Sequence, residues 1–365
     1  MLHFFLKKII LGICFLILSF QVQAAPSQTV NVYCWAYVLT PKIIQQFEKE
    51  TGIKVNLDVY DSPEVMETKL FTGHSGYDVV VVTVWPYLPR QAEAHLYQPL
   101  QSALIPNWKG LGPDLLKRME EADPGNKFAL PFIWGTTGFA YNKQKIHERY
   151  PDAPVKSLSM LFDPSIVSRF ADCGVMLIDS PVDVFPAVLS YLKLDPTSGS
   201  EEDLKKATTT LSHVRPFIRK FQAEPTAEDL TSGNYCLVQG FSGDLLLARN
   251  LGKETGTEIE YVIPEEGADL WIDAFAIPID APHSDAAHAF VNFILRPDII
   301  AQVTNAIAIA NSVPSSFSFM DEQVRNDPLI YPSKEILTKL YVNKAHPPKY
   351  DRSRLRNWTR VKIGR

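Results

Sequence analysis

The seven residues from Asp78 to Val84 read Asp-Val-Val-Val-Val-Thr-Val, and this run narrows the fold more than any other in the chain. A β-branched run without polar alternation marks a strand covered on both faces, as in a parallel sheet with helices above and below it. The preceding stretches complete that pattern. Val30 to Trp35 reads as a strand. Thr40-Pro41 then supplies an N-cap and a proline at the first helical position, Ile43, Ile44 and Phe47 form one apolar face, and Gly52 is a stop signal. Val55 to Val59 reads as a second strand, and Ser62-Pro63 opens a second helix with Val65, Met66 and Leu70 facing inward. This β-α-β-α-β rhythm predicts a parallel sheet with right-handed crossovers.

A second alternating block runs from about Gly135 to Gly256, with strands at Gly174 to Ile178 and Cys236 to Gly240. Trp271 to Ile277 is strand-like again and ends at Pro278. Beyond it the pattern is mainly helical, with Ser284 as an N-cap, Phe290, Val291 and Ile294 as a core face, and Pro297 as a stop. A chain of 365 residues exceeds one ordinary core and predicts two lobes. No repeat, low-complexity tract or Pro/Gly/Ser tether separates them, so short strands are expected to join the lobes.

The N-terminus carries Lys7 and Lys8, an apolar run from Ile9 to Phe20, and small residues at Val22-Gln23-Ala24. This reads as a secretory signal peptide cleaved after Ala24, because the apolar run is too short to span a bilayer. Cleavage leaves 341 residues and, by removing two lysines and no acid, takes the net charge from −5 to −7. A mildly acidic chain lacks the basic surface that nucleic-acid binding requires and suits a cationic ligand. Three cysteines remain, Cys34, Cys173 and Cys236, in a compartment that permits one disulfide; spacing alone does not choose the pair.

Signals for catalysis are missing. The chain has no Walker A loop, no HExxH and no CxxC, and its eight histidines show no ligand spacing. Gly240-Phe241-Ser242-Gly243 falls short of a nucleophile elbow, because the position two after the serine is Asp244. A dispersed carboxylate pair for glycoside hydrolysis leaves no spacing signature, which keeps a periplasmic hydrolase as a minor alternative.

Several stretches taken together resemble the bacterial periplasmic polyamine-binding proteins, most closely the putrescine-binding branch. They are Val30 to Trp35, Phe47-Glu48-Lys49-Glu50-Thr51-Gly52-Ile53-Lys54-Val55, Tyr77-Asp78-Val79-Val80-Val81, and Pro131 to Gly138. Asp179-Ser180-Pro181 with Val184-Phe185, Gly243-Asp244, Asp273 to Pro278, and the tail from Asp351 to Trp358 follow in the same order. The resemblance implies an α/β type II periplasmic binding fold, with two lobes, each a central sheet flanked by helices, and a ligand cleft between them. It divides the chain into 27–134 plus 258–305 for lobe one and 135–257 plus 306–365 for lobe two. It also implies a Cys173–Cys236 disulfide, a monomer with no cofactor and no catalytic role, and an ABC transporter permease in the inner membrane as partner. A sensor subunit that reports ligand without delivering it, and a receptor of the same fold for a guanidino compound, are the alternatives.

An alkyl diamine has two ammonium ends and an apolar middle, so its site needs carboxylates at the ends and aromatic walls between. In the family pattern Trp35 matches a wall, Thr83 a hydroxyl, Asp183 an acidic position, Asp244 an ammonium-binding carboxylate and Asp273 a second key carboxylate. Phe241 stands where a tryptophan is usual, and Trp271 is a further aromatic. Trp271 and Asp273 are two apart on a strand and share a face. Each has a plainer reading beside it: Asp183 and Asp244 as first-turn helix acids, the tryptophans as core packing. Two positions depart from the pattern, Tyr37 in place of an acid and Ile309 in place of a tyrosine, with Ala36 replacing a small hydroxyl residue. One end of the pocket is therefore expected to be less acidic than in putrescine receptors.

Overall fold

The computed structural model describes residues 28–223 and 225–364. The signal-peptide segment lies outside the described residues. The first strand, β1 (Thr29–Trp35), is followed by α1 (Pro41–Thr51), β2 (Lys54–Tyr60), α2 (Pro63–Phe71), β3 (Val79–Thr83) and α3 (Val84–Glu93). β1 pairs in parallel with both β2 and β3, as the rhythm predicts. Val79 to Val82 are fully buried, as a strand covered on both faces must be. Gly52 closes α1 in the left-handed region at φ 74°, where glycine has no Cβ to clash. In α2 the Ser62 side chain accepts from the Val65 N–H, while Met66 and Leu70 face inward. Val65 does not: it is half exposed, one position off the buried stripe.

The fourth strand organises the rest. β4 (Ala129–Asn142) is fourteen residues long and buried throughout. It is followed by β5 (Val175–Ile178), α4 (Pro181–Tyr191), α5 (Glu201–Val214), β6 (Lys220–Gln222), β7 (Leu237–Phe241), α6 (Ser242–Thr255), β8 (Ile259–Val262) and β9 (Asp269–Ala276). The strand order is β2-β1-β3-β9-β4-β7-β5-β6. β9 runs antiparallel to both β3 and β4, so it inserts between the two parallel halves. The first half of β4 pairs with β9 and the second half with β7 and β8. β4 and β9 thus pass from one half of the molecule to the other as continuous strands. Ile259–Val262 pairs with Phe139–Asn142, beside the part of β4 that the sequence division set in the other lobe.

The chain ends in α7 (Ser284–Ile294), α8 (Pro297–Ile307), the short β10 (Ala310–Asn311), a series of single turns and α9 (Pro348–Lys362). Ser284 lies inside α7 rather than capping it; its hydroxyl donates to Gln98. Pro297 does not only stop a helix. It occupies the first turn of the next one, where its missing N–H costs nothing. One apolar cluster packs Phe47, Phe132, Phe275 and Phe290 around β1, and another packs Phe139, Phe162, Phe185 and Trp358 around β5 and α9. Trp358 and Lys362 both reach Asp179 at 2.8 Å, which ties α9 to the loop before α4. Cys173 and Cys236 form the disulfide implied by the resemblance, with a Cα–Cα distance of 5.6 Å. Cys34 is buried and free.

Candidate functional site

Strand registry builds the site. Asp273 stands opposite Thr83 on one side and Ile133 on the other, Trp271 stands opposite Gly135, and Asp269 stands opposite Thr137. Thr137 is in turn opposite Phe241 on β7. Positions 269, 271 and 273 share one face of β9, because side chains alternate along a strand. The result is a band across the sheet with an acid at each end and an indole in the middle.

At one end the Thr83 hydroxyl donates to Asp273 Oδ1 at 2.7 Å. Asp273 is 6 % exposed and enters no ion pair among the described residues. Burial pushes its carboxyl up to about 6, against the opposing pull of the Thr83 hydroxyl and the Trp35 indole. The Trp35 Nε1 faces this carboxylate without closing a hydrogen bond, and its ring lies 4.5 Å from that of Tyr60.

In the middle, Trp271 and Phe241 meet edge to face, with centroids 6.3 Å apart and planes at 87°. The Trp271 indole lies flat on the backbone of Gly135, where a Cβ would come within 2.3 Å of Cζ2. Ile309 packs on Gly243 just ahead of Asp244, and a Cβ at Gly243 would lie 2.7 Å from its Cδ1. Asp244 occupies the first turn of α6 and is half-buried.

Asp183 sits in the first turn of α4 and is 7 % exposed. The Ser180 hydroxyl donates to it. Burial pushes this carboxyl up to about 6, while Ser180, Arg354 and Thr137 act in the other direction and Glu64 adds to the rise. Its first-turn position is therefore accompanied by a desolvation that an ordinary helix-start acid at the surface does not suffer.

Tyr37 stands apart. It is 91 % exposed, at φ 65° in the turn after β1, so it packs against none of the other candidates. Alternation stops at Trp35, where the strand ends, and spacing from Trp35 no longer dictates direction. Two groups near the band were not singled out from sequence. Asp269 continues the Trp271–Asp273 alternation by two more residues, a signal that was present in the sequence. Gly135 is required by the indole above it, which no local pattern announces.

No group of three or more His, Cys, Asp or Glu able to hold a metal occurs among the described residues, and none of their helices is long and apolar enough to cross a membrane. A family model described as bacterial extracellular solute-binding protein matches residues 42–332. The chain is 40 % identical over 346 residues to the putrescine-binding periplasmic protein SpuD of Pseudomonas aeruginosa (strain UCBPP-PA14), covering 94 % of each. It is 37 % identical to a putrescine/agmatine-binding protein of Pseudomonas aeruginosa (strain PAO1), covering 93 % of each. Among solved structures it resembles the spermidine/putrescine ABC transporter substrate-binding protein PotD of Streptococcus pneumoniae, with a TM-score of 0.79, 26 % identity and coverage of 93 % and 99 %.

Proposed function

Since the chain belongs to the bacterial extracellular solute-binding protein family, we propose that it is a periplasmic receptor that captures a small cationic amine and delivers it to an ABC transporter permease. Its fold is the type II periplasmic binding fold, two lobes with a cleft between them. The observation that carries the reading is the pair of buried acids, Asp183 and Asp273, with no ion-pair partner among the described residues, flanking an aromatic band of Trp35, Trp271 and Phe241. A buried carboxylate without a cation is costly, and an ammonium supplies the missing charge. The methylene chain lies against the rings, which also attract the cation. Closure of the two lobes around the ligand is then the state that the permease reads.

The same arrangement performs no bond chemistry in this reading. The hydroxyls of Thr83 and Ser180 serve as hydrogen-bond donors to the acids, and the bound amine leaves unaltered. Ile309, packed on Gly243 just ahead of Asp244, brings no acceptor to the end near α6, while Tyr37 projects into solvent.

Thermal unfolding of the purified protein with millimolar putrescine, cadaverine, spermidine, spermine, agmatine and arginine tests the proposal. A ligand that binds only the folded state at about 100 times its Kd adds roughly 2.7 kcal/mol of stability. A clear rise in Tm with at least one amine, and recovery of that amine unchanged, is the expected result. No rise with any of them, in folded protein free of carried-over ligand, would overturn it.

A further inference from the structure

The end of the band opposite Asp273 holds a carboxylate, Asp269, that the amine-receptor reading leaves without a role. Asp269 is 4 % exposed, faces the same side of β9 as Trp271 and Asp273, and makes no ion pair among the described residues. Its Oδ1 accepts the Asn343 N–H at 3.1 Å, and Oδ2 accepts no hydrogen bond among the described residues. Thr137, its partner across the sheet, is 6 % exposed and carries a hydroxyl that closes no hydrogen bond. That hydroxyl faces Asp183, which itself lies close enough to Asp269 for each to feel the other's charge. Tyr341 is a further titratable group beside both acids, Glu64 acts on Asp183, and Arg354, already paired with Asp351 at 2.8 Å, is the base whose charge reaches Asp183. Two buried acids and an unsatisfied hydroxyl thus converge, and neither acid has an ion-pair partner among the described residues.

Building on the amine-receptor reading, we propose that Asp269, with Asp183 and the Thr137 hydroxyl, forms a far-end cation subsite that selects amines longer than a four-carbon diamine. Length supports this choice. Asp269 and Asp273 are four residues apart on one strand, or about 13 Å. An extended four-carbon diamine holds its nitrogens only about 6 Å apart, given carbon–carbon bonds of about 1.5 Å. With a hydrogen bond of about 2.9 Å at each end, such a ligand spans about 12 Å and falls just short of the two acids. A guanidinium-tipped or three-nitrogen amine reaches both ends, and its additional N–H groups match two carboxylates and a hydroxyl better than a lone ammonium does. Asp269 is then a specificity-determining residue for the ligand's second end.

The test measures calorimetric Kd values for putrescine, agmatine and spermidine on the parent protein, Asp269→Asn and Thr137→Val. Asn at 269 keeps the acceptor for Asn343 and removes only the charge. The expected result is that agmatine, spermidine or both bind the parent at least about tenfold more tightly than putrescine, and that Asp269→Asn erases this gain while shifting putrescine by less than about threefold. Which of the two longer amines gains distinguishes a guanidinium end from an extended polyamine. Equal effects on all three ligands, or no effect on any, would overturn the subsite and leave the amine-receptor reading intact. Failure of every amine to bind the parent would overturn both. Thr137→Val is the second variant; it keeps the β-branched shape and is expected to lower the affinity for the longer amines alone.

Discussion

The hydroxyl of Thr83 donates to Oδ1 of Asp273 at 2.7 Å, across the register that sets these residues opposite each other on β3 and β9. The bond holds the buried carboxylate in one orientation and favours its ionised form. Replacing Thr83 with valine keeps the β-branched shape of the strand and removes the donor. Amine affinity is expected to fall by about ten- to a hundredfold, the order of one hydrogen bond to a charged group, and Thr83→Ser to restore most of it. Calorimetric titration at pH 7 checks both variants.

The raised carboxyls of Asp183 and Asp273 set a pH dependence with a definite sign. Each holds its proton more tightly in the folded chain than in the unfolded one. Their contribution to the stability of the empty protein is therefore fully present below about pH 4, the ordinary aspartate value, and is lost as pH rises through about 6. An Asp183→Asn, Asp273→Asn double variant is expected to gain stability relative to the parent as pH rises from 4 to 7, measured by denaturant unfolding. Ligand affinity has the opposite slope, because a cation binds the ionised acids: parent Kd values are expected to weaken as pH drops below about 6. Parallel stability curves for parent and variant would contradict this assignment.

Gly135 carries the Trp271 indole on its backbone. A Cβ there would sit 2.3 Å from Trp271 Cζ2 and 2.5 Å from Ser242 Oγ, so the indole or α6 must move. Gly135→Ala is expected to cost about 1–3 kcal/mol in stability and to weaken amine binding. At Gly110 the nearest neighbour would be 3.9 Å from an added Cβ, and alanine there is expected to change neither measurement appreciably. Comparing the two variants separates the crowding at the site from the general effect of replacing glycine.

The Cys173–Cys236 bridge closes a span of 63 residues between β5 and β7, next to the strand that carries Phe241. Replacing both cysteines by alanine is expected to cost about 2–4 kcal/mol while leaving ligand affinity in the folded protein nearly unchanged. Cys34 behaves differently. It is fully buried, and burial raises its thiol well above the usual range. A thiol reagent is therefore expected to label Cys34 only after denaturation; rapid labelling of native protein would contradict its placement.

Much of this architecture is legible in the residues because strands announce themselves locally. The valine run fixes β3, the cap, stripe and stop signals fix α1, and Ser62-Pro63 fixes the start of α2. The alternation of Trp271 and Asp273 puts both on one face, and it extends to Asp269, whose importance lies in Thr137 and Asp183 on other elements. Local reading fails where the partner is distant in sequence. Val65 sits on an apolar helix yet faces out because the buried stripe passes through Met66 and Leu70. Tyr37 follows Trp35 by two, but the strand ends between them and the ring projects into solvent. The insertion of β9 between β3 and β4, which brings Asp273 to Thr83, depends on pairing across 190 residues that no local pattern records.

The central claim is that buried, unpaired acids bind a cationic amine. Titration of ligand-free protein with a saturating series of amines, in parallel for the parent and Asp273→Asn, tests it most directly. The account predicts one saturable site in the parent and a loss of more than about a hundredfold in affinity in the variant, as expected when one partner of a buried charged contact is removed. Equal affinities in the two proteins would contradict it.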